Sequence, residues 1–92
     1  MDLMNRKTIK INNRLGLHAR AAAKFVQIAS GFQAEINVTS ANREVSGKSI
    51  MGIMMLAAGK GSEIEITTIG PDEDEAMTAL ENLINDRFGE AE

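Results

Sequence analysis

The chain has no cysteine, no tryptophan and no tyrosine, and it has one proline and one histidine among its 92 residues. Without cysteine the protein forms neither a disulfide framework nor a thiolate metal site, and with one histidine we expect no structural zinc site. Phenylalanine, present three times, is the only aromatic residue type, and the net charge is −3. This composition argues against a nucleic-acid-binding protein, which needs a basic surface or a base-stacking platform.

A length of 92 residues, with 43% hydrophobic and 25% charged residues, is typical of a small globular protein. We therefore expect one domain over residues 1–92. The first seven residues lack the apolar run of a signal peptide, and no later segment is long enough to cross a bilayer. The simplest expectation is a cytoplasmic protein without a membrane insertion.

Hydrophobic periodicity predicts an α+β fold. Polar and apolar residues alternate over residues 7–12, 34–39, 43–46 and 63–68, which predicts four strands with one wet face each. The period becomes helical over residues 19–30, 49–58 and from residue 71 onward. The order is βαββαβα, and the one-sided strands predict a four-stranded antiparallel sheet with three helices on one face.

Glycine, proline and short polar stretches predict where these elements end. Residues 40–42 form a turn that makes strands two and three a hairpin. Gly31 is expected to end the first helix in a left-handed cap, and Pro71 to lie in the first turn of the last helix. We interpret the acidic run at residues 72–75 as a solvated helix start with no further role.

The helices are expected to bury one stripe each. In the first helix we expect the buried stripe Ala22, Phe25, Val26 and Ala29, with a wet face of Arg20, Lys24 and Gln27. In the last helix the predicted stripe is Met77, Leu80, Leu83 and Ile84, with Phe88 as a last contact.

The middle helix is apolar almost all the way round, although only one of its faces can be buried in a two-layer fold. We assign Ile53, Leu56 and Ala57 to the core. Two interpretations of the remaining apolar residues, Ile50, Met51 and Met54, stay open. They form either a flexible docking surface for partners or a further part of the core, in which Gly52 marks a close helix contact.

Ser49 begins the middle helix and also has two interpretations. Its hydroxyl can cap the helix, which stabilises a protein by about 1 kcal/mol. Alternatively it is a regulatory phosphorylation site, where a near dianion would lie beside the proposed docking surface.

The single histidine, His18, lies where a loop becomes the first helix. The first N–H groups of a helix have no internal partner and attract anions. Gly16 permits a tight loop, and Arg20 supplies donors that match phosphate oxygens. The pattern favours a nucleophilic imidazole beside a phosphate seat. The plainer interpretation is a solvated polar residue or a loose helix cap.

Two separated segments, residues 16–20 (GLHAR) and 48–52 (KSIMG), make the chain resemble a known family. It is the histidine-containing phosphocarrier (HPr) family of the bacterial phosphoenolpyruvate-dependent phosphotransferase system. The resemblance runs from about residue 7 to residue 88 and implies an open-faced β-sandwich. It implies a monomeric carrier of phosphoryl groups, without cofactor or metal, that is not itself an enzyme.

The resemblance also implies roles for individual residues. His18 would accept a phosphoryl group on Nδ1 from phosphorylated enzyme I and pass it to an enzyme IIA component for sugar uptake. Arg20 would stabilise the phosphate, and the backbone N–H groups of Ala19 and Arg20 would seat it. Ser49 matches the serine that an HPr kinase/phosphorylase modifies in many members. The implied docking residues are Leu17, Lys24, Ile50, Met51 and Met54.

The chain departs from the family pattern at Ala21, where proline is usual, and at Gln27 and Ser30, where basic residues are common. Loss of the proline predicts a looser helix start and a changed transfer rate. Three alternatives stay open beside the carrier: a nitrogen-type regulatory carrier, which residues 13–16 (NRLG) would suit, a small-molecule-binding regulatory domain, and an interaction module switched at Ser49 without histidine chemistry.

Overall fold

The computed structural model describes residues 4–92. The first three residues belong to the stretch that we interpret as lacking a signal peptide, and they lie outside the described residues. Within residues 4–92 the strands are β1 Asn5–Lys10, β2 Glu35–Ser40, β3 Arg43–Ser46 and β4 Glu63–Ile69. The helices in the same range are α1 Ala19–Ala29, α2 Ile50–Met55 and α3 Glu73–Asn85, followed by a short turn of 3-10 type, Arg87–Gly89.

The strands form one antiparallel sheet in the order β1-β4-β2-β3, which confirms the predicted open-faced α+β sandwich. Alternation decides which face is buried. In β4, Ile64, Ile66 and Thr68 are buried, whereas Glu63 and Glu65 point to the wetter face. The register places Ile64 opposite Ile9 and Ile66 opposite Val38, so apolar side chains from neighbouring strands meet under the helices.

The helices complete the core as their patterns predict, with small differences. In α1, Ala22, Phe25 and Ala29 are buried as predicted. Val26 is only partly buried, and Ala21, which was not predicted, is the fourth buried residue. In α3 the buried residues are Ala76, Met77, Leu80 and Ile84, with Leu83 at the margin. Phe88 is fully buried just beyond α3, as expected.

The boundaries of three strands, β1, β2 and β4, differ from the prediction by one or two residues. β1 begins at Asn5 and ends at Lys10, because the next residue, Ile11, bonds to the loop before β4 instead of to a strand. Ile11 N–H donates to Ser62 O, and Gly61 N–H donates to Ile11 O, each at 2.8 Å. β2 begins at Glu35, one residue later than expected.

Three predictions at element ends are wrong. The left-handed glycines among residues 4–92 are Gly16, Gly61, Gly70 and Gly89, so Gly31 is not a left-handed cap, and α1 ends instead in a tight turn at Ser30. Pro71 precedes α3, whose N-cap is Asp72. Ala57 is exposed with φ 51°, since the chain has already left α2, and Ala58 takes the core position.

The turn at residues 40–42 is confirmed as the hairpin connection between β2 and β3. Ala41 and Asn42 have φ values of 50° and 66°. Two successive left-handed residues make the type of turn whose twist matches that of paired strands.

No helix within residues 4–92 has both the length and the apolar character that spanning a membrane requires.

Asp72 connects two parts of the fold, so the interpretation of the acidic run as a solvated helix start with no further role is wrong for this residue. Gln33 N–H donates to its Oδ2 and Ala34 N–H to its Oδ1, each at 2.8 Å. The carboxylate thus ties the loop after α1 to the start of α3. The hydrogen bond from Gln33 is the largest influence on the carboxyl, and it holds the pKa of Asp72 below its ordinary value of 3.8.

The two hydrogen bonds to the Asp72 carboxylate make the free energy of unfolding depend on pH. Because the folded-state pKa of Asp72 is lowered, its contribution is present above pH 3.8 and is lost as the pH falls through the folded-state pKa. We expect Asp72→Asn, which keeps one acceptor and loses the charge, to lower the free energy of unfolding at pH 7. The difference from the unmodified protein should shrink in acid.

Urea denaturation at a series of pH values measures both effects. Glu75→Gln is the matched control, since Glu75 is exposed on the first turn of the same helix. If the free energies of unfolding of Asp72→Asn and the unmodified protein differ by the same amount from neutral to acid pH, the assigned role of the Asp72 carboxylate is contradicted.

Candidate functional site

The loop between β1 and α1 is held tightly against the loop that precedes β4. Leu17 N–H donates to Ala58 O at 3.0 Å, and Gly16 N–H donates to Asn13 O at 3.2 Å. Gly16 has φ +66°, and a Cβ atom there would lie 2.4 Å from Ala58 O. Only glycine fits both constraints, so the backbone immediately before His18 has a defined path.

His18 is the N-cap residue of α1, with extended backbone angles of φ −72° and ψ 176°. Within the described residues its ring makes no capping hydrogen bond to the helix, so His18 occupies the N-cap position and leaves its ring available for other contacts. The first internal N–H donor of the helix is Ala22, which bonds to His18 O at 2.8 Å. The N–H groups of Ala19 and Arg20 precede it and are the expected anion seat.

The His18 ring contacts a carboxylate from the far end of the chain. His18 Nε2 and Glu90 Oε2 are 2.5 Å apart, and Asn13 Nδ2 donates to Glu90 Oε1 at 3.0 Å. Burial alone would raise the pKa of Glu90, but the hydrogen bonds from His18 and Asn13 and the charge of Lys24 outweigh burial. Together they hold the pKa of Glu90 below its ordinary value of 4.5, so Glu90 is ionised at neutral pH.

A left-handed turn after α3 brings Glu90 to this position. Arg87, Phe88 and Gly89 have φ values of 54°, 56° and 76°. Phe88 is anchored in the core, and Lys24 Nζ donates to its carbonyl oxygen at 2.6 Å. The Lys24 side chain is thus hydrogen-bonded within the fold while staying partly exposed, and its role as a docking contact stays a prediction.

An open cavity of about 650 Å³ lies in front of the helix start. It is bounded by the His18 loop, the first residues of α1 and the end of the chain, and its lining residues are Arg14, Leu15, His18, Ala19, Arg20, Glu90, Ala91 and Glu92. The His18 side chain is 26% exposed, so its ring can be reached from this cavity. Arg20 is exposed at the same place.

The cavity brings together the cations and anions of three segments. Arg14 Nε pairs with Glu92 Oε2 at 3.1 Å, and Arg14 N–H donates to Glu92 O at 3.0 Å. Both side chains of this pair are largely exposed, so it contributes little to stability. Among the described residues no ion pair is formed by Arg20, which leaves its guanidinium to face an incoming anion.

A second predicted surface lies on α2. Ser49 is the N-cap of this helix, and Gly52 N–H donates to its Oγ at 3.0 Å, which confirms the capping interpretation. Ile53 is buried, whereas Ile50, Met51 and Met54 are exposed, and Met55, which the sequence did not single out, is exposed as well. These four exposed residues are called the apolar patch below.

Leu17 does not belong to an accessible surface. It is 6% exposed and packs in the core cluster, because the tight loop at Gly16 turns its side chain inward. The expectation that Leu17 is a docking contact is therefore wrong. Its exposed neighbour Leu15 lines the cavity instead.

Sequence reasoning missed Asn13 and Glu90. Asn13 is fully buried, and its Nδ2 also donates to Gly16 O at 2.8 Å. Glu90 follows Phe88 and Gly89, an apolar residue and a glycine beyond the end of the last helix. That pair was the one available signal that the chain turns back onto the fold here. Nothing local in the sequence pairs it with a histidine 72 residues earlier.

Within residues 4–92 no group of three or more histidine, aspartate or glutamate side chains is arranged to hold a metal ion.

Comparisons with known proteins identify relatives of the whole chain. The model of the PTS HPr component phosphorylation site matches residues 5–86. A phosphocarrier protein HPr from Neisseria meningitidis serogroup A is 58% identical over 89 residues, which cover 97% of this chain and 100% of that protein. A crystal structure of HPr-C-His from Thermoanaerobacter tengcongensis is 48% identical with a TM-score of 0.92, and covers 96% of this chain and 99% of its own.

A second structure from Thermoanaerobacter tengcongensis is described as an HPr dimer. It is 50% identical with a TM-score of 0.76, and the match covers 89% of this chain and 94% of that one. That this chain is a monomer stays a prediction.

The tight loop before His18 leads to a stability prediction. We expect Gly16→Ala to lower the free energy of unfolding by more than about 1 kcal/mol, because it combines a left-handed backbone with a close approach to Ala58 O. Gly59→Ala is the matched control, since a Cβ at Gly59 meets nothing within 4 Å. Thermal and urea denaturation of both variants measure the difference. Equal effects would contradict the assigned constraint.

Proposed function

The chain belongs to the HPr family of phosphocarrier proteins of the phosphotransferase system, and from this membership we propose that His18 is the residue that carries the phosphoryl group. The observation that carries the proposal is the position of the ring. It lies at the N-cap of α1 without capping the helix, and it lines an open cavity together with Arg20. The accessible imidazole, the N–H groups that open the helix and the Arg20 guanidinium, which forms no ion pair among the described residues, are thus in one place.

The chemistry of transfer follows from these groups. A ring nitrogen of neutral His18 attacks the phosphorus, and the bond from phosphorus to the donor breaks, with the donor keeping the electron pair. Such transfer depends mainly on alignment and on stabilising the charge of the phosphoryl oxygens. The N–H groups of Ala19 and Arg20 and the Arg20 guanidinium supply that stabilisation in this proposal.

The partners are other components of the phosphotransferase system. We propose that phosphorylated enzyme I is the donor and an enzyme IIA component the acceptor, which makes this chain a stoichiometric carrier and not an enzyme. The cytoplasmic location belongs to the same proposal, since phosphoenolpyruvate, the ultimate donor, is a cytoplasmic metabolite.

Of the alternatives that the sequence left open, none is favoured by the family relationship. A nitrogen-type carrier, a small-molecule-binding domain and an interaction module without histidine chemistry all lack a supporting relative among the matches described above.

The proposed docking surface is the apolar patch on α2. Met51 is 70% exposed and Met55 56%, so that flexible thioether side chains face the solvent beside exposed Ile50. Grouped apolar side chains on a surface often mark a protein interaction site, and methionine adapts to more than one partner. Enzyme I and enzyme IIA would use this patch in turn.

The proposed regulation acts through Ser49. Its Oγ accepts a hydrogen bond from Gly52 N–H, so a phosphate there would remain next to helix N–H groups and be tolerated by the fold. The added negative charge would lie at the edge of the apolar patch and hinder docking. We propose an HPr kinase/phosphorylase as the enzyme that would add it.

The direct test of His18 uses phosphoenolpyruvate labelled in its phosphate, enzyme I and this protein. We expect an acid-labile, base-stable label on the unmodified chain and none on His18→Ala. Arg20→Gln should still take label, but about tenfold more slowly, since losing a charge-assisted hydrogen bond to the phosphoryl group costs about 1.4 kcal/mol. Label that persists in His18→Ala would show that another residue carries the phosphoryl group and would contradict the proposal.

The roles of Ser49 as cap and as switch can be separated with two variants. Aspartate is as good an N-cap as serine, so Ser49→Asp should keep the free energy of unfolding while slowing phosphoryl transfer from enzyme I. Ser49→Ala should lose about 1 kcal/mol of stability and keep the transfer rate. Denaturation and transfer rates are measured on both. If Ser49→Asp transfers at the unmodified rate, the apolar patch is not the docking surface.

A further inference from the structure

The contact between His18 and Glu90 constrains where the imidazole ring carries its proton. A histidine ring has two nitrogens, and a neutral ring carries its proton on one of them while the other holds the lone pair. Which nitrogen is the nucleophile is therefore decided by the hydrogen bonds that the ring makes. Here Nε2 lies 2.5 Å from Glu90 Oε2, and both residues line the cavity.

We propose that Glu90 is a positioning residue that holds the proton of His18 on Nε2 and so reserves Nδ1 as the phosphoryl acceptor. An ionised carboxylate accepts hydrogen bonds and donates none, so the Nε2 atom that faces it must be the donor. This inference rests on the proposed role of His18 as carrier, and it adds the reason why one ring nitrogen is used.

Glu90 is itself held in one orientation by a chain of hydrogen bonds. Gly16 O can only accept, so Asn13 Nδ2, 2.8 Å away, is a donor. The same amide group donates to Glu90 Oε1 at 3.0 Å, which leaves Oε2 for the ring. The Glu90 side chain is 16% exposed, so these bonds compete little with water.

The same carboxylate would balance charge during transfer. When Nδ1 forms its bond to phosphorus, the ring gains positive charge while the Nε2 proton stays in place. The donor nitrogen or oxygen leaves with its electron pair, so no proton needs to move. Glu90, next to Nε2–H, stabilises the charged ring, as a carboxylate does for other functional histidines.

The arrangement predicts the effect of Glu90→Gln. The glutamine has one acceptor and one donor group at the end of its side chain. Asn13 Nδ2 needs the acceptor, since its own role as donor is fixed by Gly16 O. The amide NH₂ group of the glutamine then faces Nε2, which must become the acceptor. The ring is expected to move its proton to Nδ1 and to lose its nucleophile there.

The experiment is ¹⁵N NMR of the imidazole nitrogens of the full chain, without a phosphoryl donor, at alkaline pH, where a histidine ring is neutral. The unmodified protein should show Nε2 as the protonated nitrogen, and Glu90→Gln should show predominantly Nδ1–H. Glu65→Gln is the matched control. It removes the same charge, but Glu65 pairs with Arg6 and does not line the cavity, so the tautomer should not change.

Transfer rates from phosphorylated enzyme I complete the test. We expect Glu90→Gln to slow labelling by roughly tenfold to a hundredfold, the range found when the partner that orients a metal-binding histidine is removed. Glu65→Gln should stay within about twofold of the unmodified rate, since Glu65 does not line the cavity and an exposed ion pair contributes little.

Each outcome bears on the inference separately from the proposed function. An unchanged tautomer in Glu90→Gln overturns the positioning role. A changed tautomer with an unchanged or faster transfer overturns it too, and indicates that the carboxylate obstructs the phosphoryl group. If His18 of the unmodified protein takes no label, the carrier proposal fails, while the NMR result still decides whether Glu90 sets the tautomer.

Discussion

The close approach of two loops is the constraint on which the site depends. Gly16 lies so near the Ala58 carbonyl that no side chain fits between them, and Leu17 bonds to that carbonyl while its side chain enters the core. This contact fixes the last residues before α1, so the helix begins at a defined point on the surface. The His18 ring can then remain partly exposed on a backbone that is otherwise packed. Rigid support of this kind lets an exposed group keep a productive geometry.

Asn13 links this constraint to the chemistry of the ring. It is fully buried, and its Nδ2 connects the Gly16 carbonyl to Glu90, while its Oδ1 has no hydrogen-bond partner among the described residues. Through its two hydrogen bonds the buried amide holds the Glu90 carboxylate in one orientation relative to the loop before His18.

The sequence alone predicts the features that depend on residues close together along the chain. Alternation in β4 and the apolar stripe of α1 follow from local periodicity, and the place of His18 at a helix start follows from the change of period after it. The Gly31 cap and the Pro71 position failed because other contacts decide those helix ends. Glu90 could not be found, since its partner lies on another segment and only the folded backbone brings them together.

The left-handed turn at the end of the chain shows that the approach of Glu90 to His18 is built into the fold. Arg87 and Phe88 are not glycines, and left-handed backbone angles at two such residues cost about 2–4 kcal/mol. Burial of Phe88 returns about 1.5–3 kcal/mol, and the hydrogen bond from Lys24 to its carbonyl about as much again. The turn is thus stabilised at Phe88, whose side chain is buried in the core and whose carbonyl oxygen accepts the hydrogen bond from Lys24. Since the anchor lies two residues before Glu90, the same contacts that stabilise the turn also set the distance between carboxylate and imidazole.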